Sequence, residues 1–145
     1  MKIQRMEHVG VVVEDLDAAK AFFVALGMEV QGEDTVEGAW VDRVVGLQGV
    51  RSDIVMLETP GGDGRLELTR FQAPPSVDGD PAAPANATGL RHLTFRVDDV
   101  DLALERVRPH GAELVGTVEP YGDTIRLCYV RGPEGMIVEL AESKD

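Results

Sequence analysis

The sequence is poor in cysteine, in aromatic residues and in long apolar segments. Its 145 residues include one cysteine, Cys128, and only 5% are Phe, Trp or Tyr. A single cysteine cannot form a disulfide within the chain, so we expect a reducing, cytoplasmic location. No apolar run approaches the ~20 residues of a membrane-spanning helix, and the N-terminus lacks the apolar core of a signal peptide. We therefore expect no membrane partner.

Basic residues are also scarce. There are 14 Lys and Arg against 26 Asp and Glu, which gives a formal net charge of −12. Because a nucleic-acid partner requires Lys and Arg to replace the counterions of its phosphates, nucleic acid is an unsuitable ligand. A small anionic molecule is still compatible with this charge. A few arginines or a metal ion near a site outweigh the electrostatic field of more distant acidic residues. The length and the 43% hydrophobic content indicate a single globular domain over residues 1–145.

An internal repeat organises the chain. Shifting the sequence by 84 positions places residues 6–32 over residues 90–116 without a gap, so that His8 falls on His92. A second matched pair lies near the end of each half, where RLELT carries Glu67 and IVELA carries Glu139. Matched histidines and glutamates in two related halves suggest a shared site.

The two copies also predict the same order of elements. A valine-rich strand comes first, and a helix follows with Asp15 or Asp99 as its N-cap. Three strands complete each half, and the last two flank a glycine-containing turn. We predict an α+β fold of two tandem βαβββ modules, with module one at 1–71, a proline-rich spacer at 72–89 and module two at 90–145. A short helix is also expected within residues 41–47.

Four residues at repeat-related positions are candidate metal ligands: His8, Glu67, His92 and Glu139. Side chains alternate between the two faces of a strand, and each of these residues lies opposite the apolar side chains of its strand. Two imidazoles and two carboxylates suit one divalent ion such as Ni, Co, Zn, Mn or Fe(II). The alternative is that the histidines are structural and the glutamates belong to a solvated sheet face.

The opening HVGVVVEDLDAAKAFF and the ending YVRGPEGMIVEL carry a resemblance to a known family. With the two modules, they resemble the vicinal oxygen chelate superfamily, which includes glyoxalase I, methylmalonyl-CoA epimerase, extradiol dioxygenases and bleomycin-resistance proteins. The ending follows the family's aromatic-x-x-Asp-Pro-Asp-Gly-x-x-x-Glu-Leu pattern from Tyr129 to Leu140, with Gly132 and Glu134 replacing the aspartates. The resemblance implies a half-open, mostly antiparallel barrel around a metal, commonly completed in a homodimer, and carries the ligand positions onto the four residues above.

The number of ligands bears on the chemistry that the resemblance implies. In extradiol dioxygenases two histidines and one glutamate hold Fe(II), which leaves Glu67 superfluous. Glyoxalase I and the epimerases instead fill the Glu67 position with Glu or Gln. We therefore expect a metal-dependent lyase or isomerase that transfers a proton through a metal-bound enediolate, with Glu67 and Glu139 as ligands that also act as bases. Alternatively both stay permanent ligands, and a loop residue such as Glu37 or Asp42 is the base.

The expected substrate is a small molecule with adjacent oxygens and an acidic α-proton. Methylmalonyl-CoA epimerisation is the first candidate, and glyoxalase I-type isomerisation is the second. Against the first, epimerases typically have Gln at the Glu67 position, and the acidic chain offers little positive charge for the CoA phosphates. The alternatives are an Fe(II) extradiol-type dioxygenase and a non-catalytic protein that sequesters a drug or metabolite, although such binders have usually lost the ligands.

Three further residues are candidates for substrate binding. Arg96 lies two positions after His92 on the same strand face, and Arg126 is a second guanidinium expected near the site. Either could clamp a substrate carboxylate, or could form an ion pair that neutralises nearby glutamates. Trp40, within the unmatched segment 35–52, is a candidate aromatic wall, although an isolated tryptophan also suits core packing.

Overall fold

The computed structural model, which describes residues 1–143, divides the chain into two compact units. One unit is Met1–Asp78 and the other begins at Gly79, so the boundary falls inside the expected spacer. Both units have the predicted order of a strand, a helix and further strands. The α+β class and the two βαβββ modules are confirmed. No helix within the described residues is long and apolar enough to cross a membrane.

The first unit contains a four-stranded sheet in the order β1-β4-β3-β2. Its elements are β1 (Val9–Val12), α1 (Leu16–Leu26), β2 (Glu29–Glu37), α2 (Ala39–Val45), β3 (Arg51–Glu58) and β4 (Arg65–Ala73). β1 runs parallel to β4, whereas β2, β3 and β4 pair in antiparallel fashion. α2 corresponds to the short helix expected within residues 41–47.

The second unit repeats this arrangement in a sheet of order β5-β9-β8-β6, in which β7 also pairs with β8. Its elements are β5 (His92–Val97), α3 (Val100–Val107), β6 (Glu113–Leu114), β7 (Glu119–Tyr121), β8 (Ile125–Arg131) and β9 (Ile137–Ser143). β5 runs parallel to β9, as β1 does to β4. The strand expected after α3 is reduced to the two residues of β6, and β7 was not predicted.

The repeat is visible in how the two helices begin. The Asp15 carboxylate accepts a hydrogen bond from the Ala18 backbone N–H at 2.9 Å, and the Asp99 carboxylate accepts one from the Leu102 N–H at the same distance. Each aspartate thus satisfies a backbone donor that the first helical turn leaves unpaired. α3 is shorter than α1 because Pro109 lacks the N–H that would continue the helix, and a 3₁₀ turn follows.

Each helix packs on one face of the sheet in its own unit. In the first unit the buried residues are Ala19, Phe22 and Phe23 of α1 with Val55, Leu57, Leu66 and Leu68 of the sheet. In the second unit they are Val100, Ala103, Leu104 and Val107 of α3 with Cys128, Val130, Val138 and Leu140. Burial raises the pKa of the Cys128 thiol, so this cysteine serves as a core residue. The opposite face of each sheet carries both polar and apolar side chains, with Met56 beside Glu67 in the first unit and Tyr129 beside Glu139 in the second.

Replacing Asp99 tests the capping role. Asp99→Ala should lower the free energy of unfolding by about 1 kcal/mol, because the Leu102 N–H loses its side-chain acceptor. The neighbouring Asp98 is exposed, and Asp98→Ala should change stability by less than about 0.5 kcal/mol. Urea unfolding followed by circular dichroism measures both values. Equal losses in the two variants would contradict a specific capping role.

Candidate metal centre

The first unit brings His8 and Glu67 together. His8 directly precedes β1, and the parallel pairing sets Gly10 beside Glu67. The distance from His8 Nε2 to Glu67 Oε2 is 3.5 Å, and the two side chains are 34% and 26% exposed. The Thr69 hydroxyl donates to Glu67 Oε1 at 3.2 Å. The first predicted ligand pair is therefore adjacent, half-buried and open to one side.

The second unit brings His92 and Glu139 together in the same way. In the parallel pairing of β5 with β9, Thr94 lies beside Glu139. The distance from His92 Nε2 to Glu139 Oε2 is 3.3 Å, and the side chains are 38% and 16% exposed. The Thr94 hydroxyl donates to Glu139 Oε2 at 2.9 Å. The Tyr129 hydroxyl lies 3.4 Å from His92 Nδ1, so this pair has an additional polar neighbour.

Strand alternation explains why both pairs face away from the helices. Glu67 lies between the buried residues Leu66 and Leu68, and Glu139 lies between the buried residues Val138 and Leu140. Since neighbouring side chains point to opposite faces, burial of the apolar residues against the helix turns each carboxylate to the other side. Both pairs thus lie on the face of their own sheet that is turned away from the helix, as the sequence pattern indicated.

The spacing within each pair fits two ligands of one metal ion. Donor atoms about 2.1 Å from an ion are separated by about 3.0 Å in octahedral and about 3.4 Å in tetrahedral coordination. The separations of 3.5 and 3.3 Å are close to these values. No group of three or more His, Cys, Asp and Glu side chains suited to a metal occurs within residues 1–143. Each unit offers one His–Glu pair at this spacing.

Arg126 does not lie beside the His92–Glu139 pair, which departs from the expectation for this residue. Its guanidinium donates to Glu142 at 3.0 Å and to Asp101 at 3.0 Å, and these contacts raise the pKa of Arg126. The buried Glu142 carboxylate also accepts from the Val100 N–H at the start of α3, at 2.9 Å. Arg126 has the strand parity of Cys128, which directs it to the helix side, where it forms a structural ion pair.

Arg96 and Trp40 occupy exposed positions. Arg96 alternates with Phe95 and so shares the strand face of His92 and Thr94. Within residues 1–143 its guanidinium forms no ion pair. Trp40 is in α2 and is 57% exposed, which rules out the core-packing role for this tryptophan. Both residues are therefore available to a ligand.

The two residues considered as alternative bases in a loop lie instead in β2 (Glu37) and α2 (Asp42), and both are held by structural contacts. The Glu37 carboxylate forms an ion pair with Arg51 at 2.6 Å. The two oxygens of Asp42 accept hydrogen bonds from the backbone N–H groups of Gly49 and Val50 at 3.0 and 2.8 Å. Contacts of this kind hold a carboxylate in place. Neither side chain is therefore well suited to move a substrate proton.

A cavity of about 670 Å³ in the first unit lies away from the His8–Glu67 pair. It opens on the helix side of the sheet and is lined by the start of α1 and by acidic side chains of β2 and β3, including Asp53. Hydrogen bonds from Gln72 and Thr35 lower the pKa of Asp53, which keeps this carboxylate ionised. The cavity and the candidate ligands are on different faces and do not form one site.

Sequence reasoning did not assign a role to three residues that contact the ligand pairs: Thr69, Thr94 and Tyr129. Two of them were predictable from spacing. Thr69 follows Glu67 by two residues and Thr94 follows His92 by two, so each threonine shares a strand face with that candidate ligand. The pairing of Tyr129 with Glu139 across β8 and β9 could not be inferred from spacing.

Comparison with known proteins gives one family over most of the chain. The model of the glyoxalase/bleomycin resistance protein/dioxygenase superfamily matches residues 5–140. The Escherichia coli protein YaeR is 29% identical over 97% of this chain and 97% of its own length. An ethylmalonyl-CoA/methylmalonyl-CoA epimerase from Cereibacter sphaeroides is 29% identical over 97% of this chain and 98% of its own.

Solved structures agree with this match. A glyoxalase family protein from Bacillus cereus is 45% identical, with a TM-score of 0.95 over 99% of this chain and 96% of that chain. The similarity therefore extends from the sequence to the course of the backbone in both units.

Two arginine variants test the separate positions of Arg126 and Arg96. Arg126→Met should lower the midpoint of thermal unfolding, because the buried Glu142 carboxylate loses a charged partner. Arg96→Met removes an exposed side chain that forms no ion pair with any of residues 1–143, and it should leave the midpoint nearly unchanged. Differential scanning calorimetry of the two proteins measures the difference. A larger loss in Arg96→Met than in Arg126→Met would contradict these assignments.

Proposed function

Since the chain belongs to the glyoxalase/bleomycin resistance protein/dioxygenase superfamily, we propose that it is a divalent-metal-dependent isomerase or lyase that acts by proton transfer. The observation that carries this proposal is the pair of His–Glu contacts, one in each unit, with donor separations of 3.5 and 3.3 Å. A protein that only sequesters a ligand has no need of both pairs.

The residues proposed to hold the metal are His8, Glu67, His92 and Glu139. Two imidazoles and two carboxylates suit Ni, Co, Zn, Mn or Fe(II), and the spacing within each pair supports this donor set. A bound ion of this kind supplies Lewis-acid polarisation of substrate oxygens. Four protein ligands favour that role over oxygen activation, which needs more open positions on the metal.

Glu67 and Glu139 are the proposed bases. A proton transfer of this kind breaks the α-carbon–hydrogen bond, moves its electron pair toward the adjacent carbonyl oxygen and gives the proton to a carboxylate. Inversion of the carbon additionally requires the second glutamate to be in its protonated form, so that it gives its own proton to the carbon from the face opposite the one that lost a proton. The alternative bases Glu37 and Asp42 are less suitable, because Glu37 forms an ion pair with Arg51 and Asp42 accepts two backbone hydrogen bonds.

The remaining contacts with the substrate are assigned to Arg96 and Trp40. Arg96 lies on the strand face of His92 and is free of an ion pair with any residue in the described range 1–143, which suits a clamp on a substrate carboxylate. The exposed Trp40 offers an apolar surface. The proposed partner is thus a small molecule with adjacent oxygens, and the proposed form of the protein is a cytoplasmic homodimer.

Epimerisation of a methylmalonyl-CoA-type thioester is the proposed specific reaction. Its support is the similarity, over nearly the full length of both chains, to an ethylmalonyl-CoA/methylmalonyl-CoA epimerase. A glyoxalase I-type isomerisation is the second candidate, and the glutamate at position 67 favours it, because epimerases typically have Gln there. Both reactions begin with removal of an α-proton, so they share the proposed bases and the proposed metal.

Metal binding tests the ligand set. The purified chain should bind about one Co²⁺ or Ni²⁺ per chain. His8→Ala and His92→Ala should each weaken metal binding by more than about 100-fold. This exceeds the 10- to 100-fold loss that is typical when a residue hydrogen-bonded to a metal ligand is replaced. His110→Ala removes an exposed histidine outside the pairs and is the matched control. Isothermal titration gives the affinities, and a folded wild-type chain that takes up no metal would overturn the proposal in favour of a sequestering protein.

Solvent exchange tests the reaction class. In D₂O the metal-loaded chain should exchange the α-hydrogen of methylmalonyl-CoA, or that of a glutathione–methylglyoxal adduct, as followed by NMR. Glu139→Gln and Glu67→Gln should slow exchange by at least about 100-fold, the lower range for loss of a general base. Glu105→Gln, on the exposed side of α3, should not.

The outcome also separates the candidate functions. Exchange confined to one substrate identifies the reaction, whereas exchange in neither rejects both of the named substrates. Stoichiometric oxygen consumption with a catechol, restricted to the Fe(II) form, would replace the proton-transfer proposal with a dioxygenase.

A further inference from the structure

We propose that Tyr129 is a positioning residue for His92, and that it makes the His92–Glu139 half of the site better ordered than the His8–Glu67 half. The inference rests on the proposed function, because it concerns how the chain prepares its metal ligands. It adds a residue to the site that the donor set alone does not include.

Two contacts hold the His92 ring from opposite sides. Its Nε2 atom lies 3.3 Å from Glu139 Oε2, and its Nδ1 atom lies 3.4 Å from the Tyr129 hydroxyl. The two rings also pack against each other, with centroids 5.0 Å apart and an angle of 37° between their planes. Contacts at both nitrogens select one orientation of the imidazole, with Nε2 directed toward the carboxylate.

A phenol suits this position because its hydroxyl both donates and accepts hydrogen bonds. In the metal-free protein, a neutral His92 that carries its proton on Nε2, 3.3 Å from Glu139 Oε2, has a bare Nδ1, which accepts from the Tyr129 hydroxyl. When Nε2 is used for a metal, the ring proton resides on Nδ1 and is donated to the phenol oxygen. The same side chain therefore serves both forms of the imidazole, as outer-shell partners of ligating histidines commonly do.

The equivalent position in the first unit carries no such group. Tyr129 lies opposite Glu139 in the pairing of β8 with β9, and Met56 lies opposite Glu67 in the pairing of β3 with β4. A thioether has no hydrogen to donate and is only a weak acceptor. Two related units thus present the same pair of ligands with different neighbours, and only the His92–Glu139 pair has a phenol hydroxyl at this register position.

Three variants with matched chemistry test this inference. Tyr129→Phe removes the hydroxyl and retains the ring, and should raise the dissociation constant for Co²⁺ about tenfold. Tyr121→Phe removes the hydroxyl of a residue that is 70% exposed, and Met56→Leu alters the equivalent position. Both controls should change the constant by no more than about twofold. Calorimetric titration of the full chain, with circular dichroism to establish folding, provides these values.

A second measurement is independent of metal binding. In the metal-free protein, ¹⁵N NMR should report the Nε2–H tautomer of His92. Tyr129→Phe should shift the Nδ1 resonance of His92, identified by its absence in His92→Ala, and Tyr121→Phe should not. This spectrum reports the hydrogen bond even if the protein takes up no metal.

The results distinguish the inference from the proposed function. Weaker Co²⁺ binding and a shifted Nδ1 resonance in Tyr129→Phe alone would support the positioning role. Unchanged affinity, or an unchanged Nδ1 resonance, would overturn it even if the wild-type chain binds metal. A wild-type chain that binds no metal overturns the proposed function, and it overturns the metal-positioning role of Tyr129 with it, whatever the spectrum reports about the hydrogen bond.

Discussion

The alternation of side chains along a β-strand is the constraint on which the rest of this structure depends. Glu67 lies between two buried leucines, and Glu139 lies between Val138 and Leu140. Burial of these apolar residues against a helix therefore turns the carboxylates toward the opposite face. A slip of one residue in the pairing of these strands would bury a carboxylate and expose the leucines. Such a slip is unfavourable because the buried carboxylate would lose its hydration. The packing that stabilises each unit thus also sets the direction of its candidate ligands.

The two units share a scaffold but surround their ligand pairs differently. Both have a threonine hydroxyl on the glutamate, Thr69 in the first and Thr94 in the second. The threonines lie on different strands: Thr69 is on the strand of the glutamate itself, and Thr94 is on the strand of the histidine. The hydroxyl at Tyr129 has no counterpart at Met56. Similar backbones therefore place the two carboxylates among different neighbours.

The acidic composition makes the placement of each arginine informative. Arg51 pairs with Glu37, Arg65 with Glu7, and Arg126 with Glu142 and Asp101. These ion pairs connect different segments of the chain, so the three guanidinium groups have a structural role. Arg96 differs, because within the described residues it lies on the ligand face without an ion pair. In a chain with net charge −12, such an arginine places a positive charge on the strand face that carries His92.

The sequence by itself determined the two modules, the helix starts at Asp15 and Asp99, and the strand face of all four candidate ligands. These features depend on local periodicity and capping, which a short segment specifies. Only the tertiary structure decided that Tyr129 reaches His92, 37 positions away, and that Thr94 reaches Glu139, 45 positions away. It also decided that Arg126 joins Glu142 on the helix side. Such contacts depend on which strands pair and in what register, and no local pattern encodes that pairing.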